Sequence, residues 1–125
     1  MITTHKLQNV LIAEDDDFLA EIIQDEVAKH VQNAHIVSDG GAAIEAIEHQ
    51  MPDLLILDLL MPKINGFAVL EHLQKQKSTL PVIILSNLSD TANREKCEKL
   101  GYTKYLVKSD MDESDLWPAI ERQLQ

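Results

Sequence analysis

Short apolar runs that stop abruptly at a charged or hydroxyl-bearing residue recur along this chain, and between them the apolar residues switch to helical spacing. Val10–Ala13 runs into Glu14-Asp15-Asp16, Leu54–Leu57 into Asp58, Val82–Leu85 into Ser86, and Tyr105–Val107 into Lys108. Ala34–Val37 is a further, shorter run. Continuous apolar stretches of this length fit strands buried on both faces, as in a parallel sheet.

The intervening segments read as helices. Phe18, Ile22, Ile23, Val27 and Val31 recur at helical spacing with Glu21, Gln24, Asp25 and Lys29 between them. Ala43, Ile44, Ala46 and Ile47 mark a second helix, stopped by Pro52, and Phe67, Leu70 and Leu73 a third. Ser89-Asp90 reads as the cap of a polar fourth helix, Thr91–Leu100, ended by Gly101. Tyr102–Val107 follows as the fifth strand. Leu116, Ile120 and Leu124 give the last helix its buried stripe, and Pro118 confines its start to about Ser114. Trp117, beside that stripe, reads either as core or as partly exposed. Five strand–helix units imply an α/β fold: a doubly wound, five-stranded parallel sheet with helices on both faces.

With 125 residues, the chain is expected to be one domain, its core spanning about 8–124. No linker or change of composition marks off an output domain within it. Apolar residues make up 45%, enough for a proper core, and the net charge is −10. That charge opposes general attraction to nucleic acid or to anionic membranes. The single cysteine, Cys97, cannot form a disulfide within the chain, and no secretory or membrane-spanning segment is legible. The simplest expectation is a reducing, cytoplasmic setting. The five histidines show no paired metal spacing.

In an open parallel sheet, ligands gather outside the carboxyl ends of the strands. Glu14, Asp15, Asp16, Asp58, Ser86 and Lys108 would all meet there. Adjacent carboxylates repel unless a cation neutralises them, and a hard divalent ion is their natural partner. Asp16 or Asp17 also suits the amino end of the next helix. Asp58 ends the most apolar strand, where a carboxylate needs a chemical reason, and a carboxylate can act as a nucleophile and carry a phosphoryl group. Lys108 is the basic residue at a strand exit, and Ser86 offers a hydroxyl. Taken singly, each has an ordinary reading: helix cap, turn aspartate, surface lysine, loop serine. Their coincidence at one sheet edge favours the functional one.

The stretches Val10–Asp16, Leu57-Asp58-Leu59-Leu60-Met61-Pro62 with Gly66, Leu85-Ser86 and Tyr105–Lys108 resemble the receiver domain of bacterial two-component response regulators (CheY-like). The resemblance covers nearly the whole chain. It implies a flavodoxin-like three-layer sandwich of strand order 2-1-3-4-5. It also implies that Asp58 accepts a phosphoryl group from a phosphohistidine, with Mg²⁺ (or Mn²⁺) held by Glu14, Asp15, Asp58 and the backbone carbonyl of Leu60. Lys108 and Ser86 would bind the phosphoryl group, and Tyr105 would swing inward behind Ser86. The implied partners are a sensor histidine kinase or histidine phosphotransfer protein. A downstream protein or a second copy would be met through the fourth helix, fifth strand and fifth helix. The implied role is a signalling switch rather than an enzyme.

Three departures from the family pattern stand out. Ser109 follows Lys108 where proline is commonest, so a cis peptide after the lysine is not assured. Asn87 stands where a very small residue is preferred, which tunes access or adds a hydrogen bond. Leu60 and Leu88 flank the phosphoryl position, and two leucines there would shield it from water and slow dephosphorylation. A phosphatase acting through an aspartyl intermediate is disfavoured, because Leu60 offers no acid or base two residues after Asp58. A phosphorylation-independent scaffold is disfavoured by the intact Asp15, Asp58 and Lys108. A flavin module is the least favoured, since no phosphate-binding loop follows the first strand.

Overall fold

The computed structural model describes residues 7–61, 63–86, 91–110 and 113–124. The expected cap Ser89-Asp90, the access-tuning Asn87 and Leu88, and Pro62 lie outside the described residues. The elements alternate as expected: β1 (Asn9–Ala13), α1 (Asp17–Ala28), β2 (Asn33–Val37), α2 (Gly40–His49), β3 (Leu54–Asp58), α3 (Gly66–Lys75), β4 (Val82–Ser86), α4 (Thr91–Lys99), β5 (Tyr105–Val107) and α5 (Glu113–Leu124). All strand pairs are parallel, and the order is β2-β1-β3-β4-β5.

The sheet divides the core into two. Along each strand, side chains alternate between faces. Leu11, Leu55, Leu57, Val82 and Ile84 meet Ala43 and Ile47 of α2, Leu70 and Leu73 of α3, and Cys97 of α4. Val10, Ile12, Leu54, Ile56, Ile83 and Leu85 meet Ile23 and Val27 of α1 and Leu116, Ile120 and Leu124 of α5. β3 and β4 are buried at every position, so the strands that end in Asp58 and Ser86 form the rigid centre.

Several local expectations need correcting. Phe18 does not join the buried stripe of α1 and is 75% exposed. The buried residues are Ala20, Ile23 and Val27. At 100° per residue Phe18 points away from all three. Trp117, open to two readings, is buried, its ring stacked on His30 at 4.4 Å between centroids. Cys97, in a helix read as polar, is fully buried. β5 begins at Tyr105, not Tyr102. The Tyr102 amide donates to the Cys97 carbonyl and the Gly101 amide to that of Glu98, with Gly101 at φ +93°. This Schellman closure of α4 uses up the backbone that the sequence reading gave to the strand. The start of α5, by Glu113, agrees with the expected one to within a residue, and Pro118 lies inside its second turn.

Two glycines let backbone segments touch beneath the carboxyl edge. The Gly66 amide donates to the Leu59 carbonyl, and a Cβ on Gly66 would lie 2.6 Å from the Asp58 carbonyl oxygen. The Gly40 amide donates to the Ile64 carbonyl at 2.7 Å, and a Cβ there would lie 2.1 Å from that oxygen. Together these contacts fix the β3–α3 loop.

Candidate functional site

β1 and β3 are neighbours, so their carboxyl ends deliver Glu14, Asp15 and Asp58 to one place. One carboxylate oxygen from each lies within 4.8 Å of the others. Glu14 and Asp58 are buried and Asp15 is exposed. Lys108, just past β5, reaches across β4 to this pair. Its Nζ lies 3.2 Å from Glu14 Oε1 and 3.1 Å from Asp58 Oδ2.

The remaining carboxylate oxygens are held by backbone. The Asp16 amide donates to Glu14 Oε2 at 3.0 Å, and the Leu60 amide donates to Asp58 Oδ1 at 3.1 Å. Asp16 itself is the N-cap of α1, its Oδ1 accepting from the amides of Phe18 and Leu19. Of the two capping candidates, Asp16 therefore serves, and its side chain is committed to the helix.

The electrostatics follow from burial. Desolvation pushes the Glu14 carboxyl up to about 7, and Asp58 beside it adds to the rise against the opposing Asp16 amide and Lys108. Burial likewise raises Asp58, opposed by the Leu60 amide and Lys108. For Lys108, burial acts downward, but Asp58 and Glu14 together outweigh it and hold the ammonium above its usual range. One ammonium thus faces two buried carboxyls, and a further cation is electrostatically welcome.

Glu14 Oε1 and Asp58 Oδ2 accept no hydrogen bond among the described residues beyond their contact with the ammonium. Two buried, under-satisfied carboxylate oxygens and an exposed third carboxylate form an all-oxygen donor set. That set fits Mg²⁺ or Mn²⁺, which take oxygen ligands and keep waters.

Ser86 ends β4 beside β3, in a register that pairs Asp58 with Leu85. Its Oγ is buried without a hydrogen-bond partner among the described residues. A buried, unsatisfied hydroxyl calls for an explanation, and an incoming oxygen anion would supply one. Leu60 leaves its side chain at the rim, 57% exposed.

Tyr105 stands apart from this cluster. Its ring is already buried, and its hydroxyl lies 3.0 Å from the carbonyls of both Arg94 and Tyr102, to which its one proton is donated. After Lys108 the chain makes a 3-10 turn, Lys108–Asp110, and the described residues contain no cis peptide bond. Sequence reasoning missed Arg94, whose contact with Tyr105 has no local signal. It named Gly66 as part of the family motif without the physical reason, which is that this glycine lets the Asp58 backbone be approached.

Comparison with known proteins accords with this geometry. The family model of the response regulator receiver domain matches residues 10–121. Response regulator ArlR of Staphylococcus epidermidis is 34% identical over 102 residues, covering 82% of this chain and 46% of ArlR. The alkaline phosphatase synthesis transcriptional regulatory protein PhoP of Bacillus subtilis is 26% identical over 101 residues, covering 81% of this chain and 42% of PhoP. The Francisella response regulator 1452 receiver domain superposes with a TM-score of 0.77 at 28% identity, covering 94% of this chain and 99% of that one. The chain belongs to the response regulator receiver family, whose members serve as signalling switches in two-component systems. It spans less than half the length of the curated relatives it matches. None of the described helices is long and apolar enough to cross a membrane.

Proposed function

We infer that this chain is a phosphoacceptor switch in which Asp58 receives a phosphoryl group from a phosphohistidine. In that transfer a carboxylate oxygen of Asp58 bonds to phosphorus, the phosphorus–nitrogen bond breaks, and the imidazole leaves with the electron pair. The observation that carries this reading is the cluster of Glu14, Asp15 and Asp58 oxygens bridged by Lys108 at a parallel sheet's carboxyl edge.

Glu14, Asp15, Asp58 and the carbonyl of Leu60 would hold Mg²⁺ or Mn²⁺, which when bound neutralises charge on the transferred group. The chain's own residues do the rest. Burial of Asp58 within β3, with its Oδ1 tied to the Leu60 amide, fixes the nucleophile's position. The Lys108 ammonium, now shared between two carboxylates, turns to the phosphoryl oxygen as the anion arrives. The unpartnered Ser86 hydroxyl donates to the same group. Leu60 and Leu88 shield the product from water, and Asn87 tunes access to it, giving slow dephosphorylation.

The donor partner is a sensor histidine kinase or a histidine phosphotransfer protein. Phe18, Leu60 and Ile64, all exposed, give such a partner apolar footholds on segments that lead from the acidic strand ends. Output passes through α4, β5 and α5 to a protein target or a second copy, Tyr105 taking part. A net charge of −10 opposes direct contact of this domain with nucleic acid, and the single cysteine fits a reducing, cytoplasmic setting. The test is intact-mass spectrometry after treatment with acetyl phosphate and Mg²⁺. One phosphoryl adduct is expected on the wild type and none on Asp58→Asn. An unlabelled wild type, or equal labelling of both, would overturn the reading.

A further inference from the structure

α4 is seated on the domain in an unusual way. Only Cys97 among its residues is buried. α1 buries three side chains by contrast, and α3 buries five residues. In place of an apolar stripe, α4 lays two cations over aromatic rings. The Arg94 guanidinium carbon lies 4.3 Å from the centre of the Tyr105 ring, and the Lys96 ammonium lies 4.3 Å from the centre of the Phe67 ring. Both distances are inside the range in which a cation is drawn to a ring face.

These contacts displace more ordinary ones. Glu98, four residues after Arg94, stands at the spacing of a helical ion pair, yet neither Arg94 nor Lys96 forms an ion pair among the described residues. Both rings are buried except for the little area left open, so each cation closes a mostly covered aromatic face. The Tyr105 hydroxyl adds a bond to the Arg94 carbonyl.

The two rings sit on opposite flanks of the site. Phe67 follows Gly66, whose backbone packs on that of Asp58. Tyr105 pairs with Ile84, two residues before Ser86. The helix is therefore clamped to α3 on one side and to β5 on the other, each clamp within a few residues of a group in the acidic site.

We propose that Arg94 and Lys96 are positioning residues: a pair of cation–π clamps that hold α4 in its resting seat and so set how readily the Ser86–Tyr105 side rearranges when Asp58 is phosphorylated. The consequence for phosphorylation rests on the reading of Asp58 given above, whereas the seat itself does not. Each clamp alone is weak, which suits a contact that must be released by a modest stimulus.

The test is hydrogen exchange of the α4 amides in the unphosphorylated protein, followed by the rate of Asp58 labelling with acetyl phosphate and Mg²⁺. Three proteins are compared: wild type, Arg94→Met/Lys96→Met, and Arg94→Lys/Lys96→Arg. Methionine keeps an unbranched apolar side chain and removes the charge. The methionine variant is expected to exchange α4 amides about tenfold faster, with α1 and α5 unchanged, and to label several-fold faster. The charge-keeping variant should behave as wild type. Unchanged α4 exchange in the methionine variant, equal acceleration in the charge-keeping one, or faster exchange without faster labelling would each overturn the proposal. A wild type that exchanges as expected but never labels would instead sink the reading of Asp58.

Discussion

Single residues at the carboxyl edge are held in states that water would not give them. Glu14 is the clearest case, its carboxyl raised by burial to about 7 from 4.5. Between those values the folded protein binds more protons than the unfolded chain, so folding is favoured most below 4.5 and loses ground as the pH rises to 7. Asp58 shifts in the same direction. Without divalent cations, the urea midpoint is therefore expected to fall between pH 4.5 and 7, and Glu14→Gln to flatten that fall. An identical slope in the variant would show that the group is not the source. Ser86 makes the complementary case. Its hydroxyl is buried with no partner among the described residues, so Ser86→Ala should leave stability within about 1 kcal/mol or raise it slightly. A loss of several kcal/mol on chemical unfolding would mean that the hydroxyl has a resting partner.

Residue identity was also where sequence reasoning was most and least successful. The position of Glu14, Asp15, Asp58, Ser86 and Lys108 at the strand ends was legible, because period and breakers locate strand ends. The fate of Phe18 and Trp117 was not. Two overlapping helical stripes fit the first helix, and only packing against the sheet selects Ala20, Ile23 and Val27 over Phe18. Trp117 is covered by His30, from the turn after α1, far away in the chain.

Between elements, the β3–α3 loop is set by glycine on two sides. A Cβ on Gly40 would meet the Ile64 carbonyl oxygen at 2.1 Å, and one on Gly66 the Asp58 carbonyl oxygen at 2.6 Å. Both obstacles are backbone and cannot turn aside. Gly40→Ala and Gly66→Ala are each expected to cost about 1–3 kcal/mol. Gly41, whose Cβ would meet the Asp39 carboxylate at 3.2 Å, should accept alanine within about 1 kcal/mol, because a side chain gives way and alanine favours the helix. Equal losses at positions 40 and 41 would disprove the close-approach argument. The sequence marks Gly40 and Gly41 alike. Distinguishing them needs the distance from Gly40 to Ile64, more than twenty residues along the chain.

For the molecule as a whole, the five-stranded sheet is a partition. Ile23 packs with α5 residues on one side, and Ile47 with α3 residues on the other. Ile23→Val and Ile47→Val should each cost about 0.5–1.5 kcal/mol. Their double variant should equal the sum within about 0.5 kcal/mol, since the sites share no neighbours. A larger coupling energy in the cycle would mean that the sheet transmits strain between its faces.

The alternation of apolar runs and helical periods was enough to fix the order of elements, the parallel sheet and the edge at which polar residues collect. Those properties follow from local spacing, which a linear chain carries in full. The cover that His30 gives Trp117, the Tyr102 turn that shortens β5, and the two rings beneath Arg94 and Lys96 were decided only in three dimensions. Each depends on which distant backbone comes within a few ångströms, and periodicity holds no information about that separation.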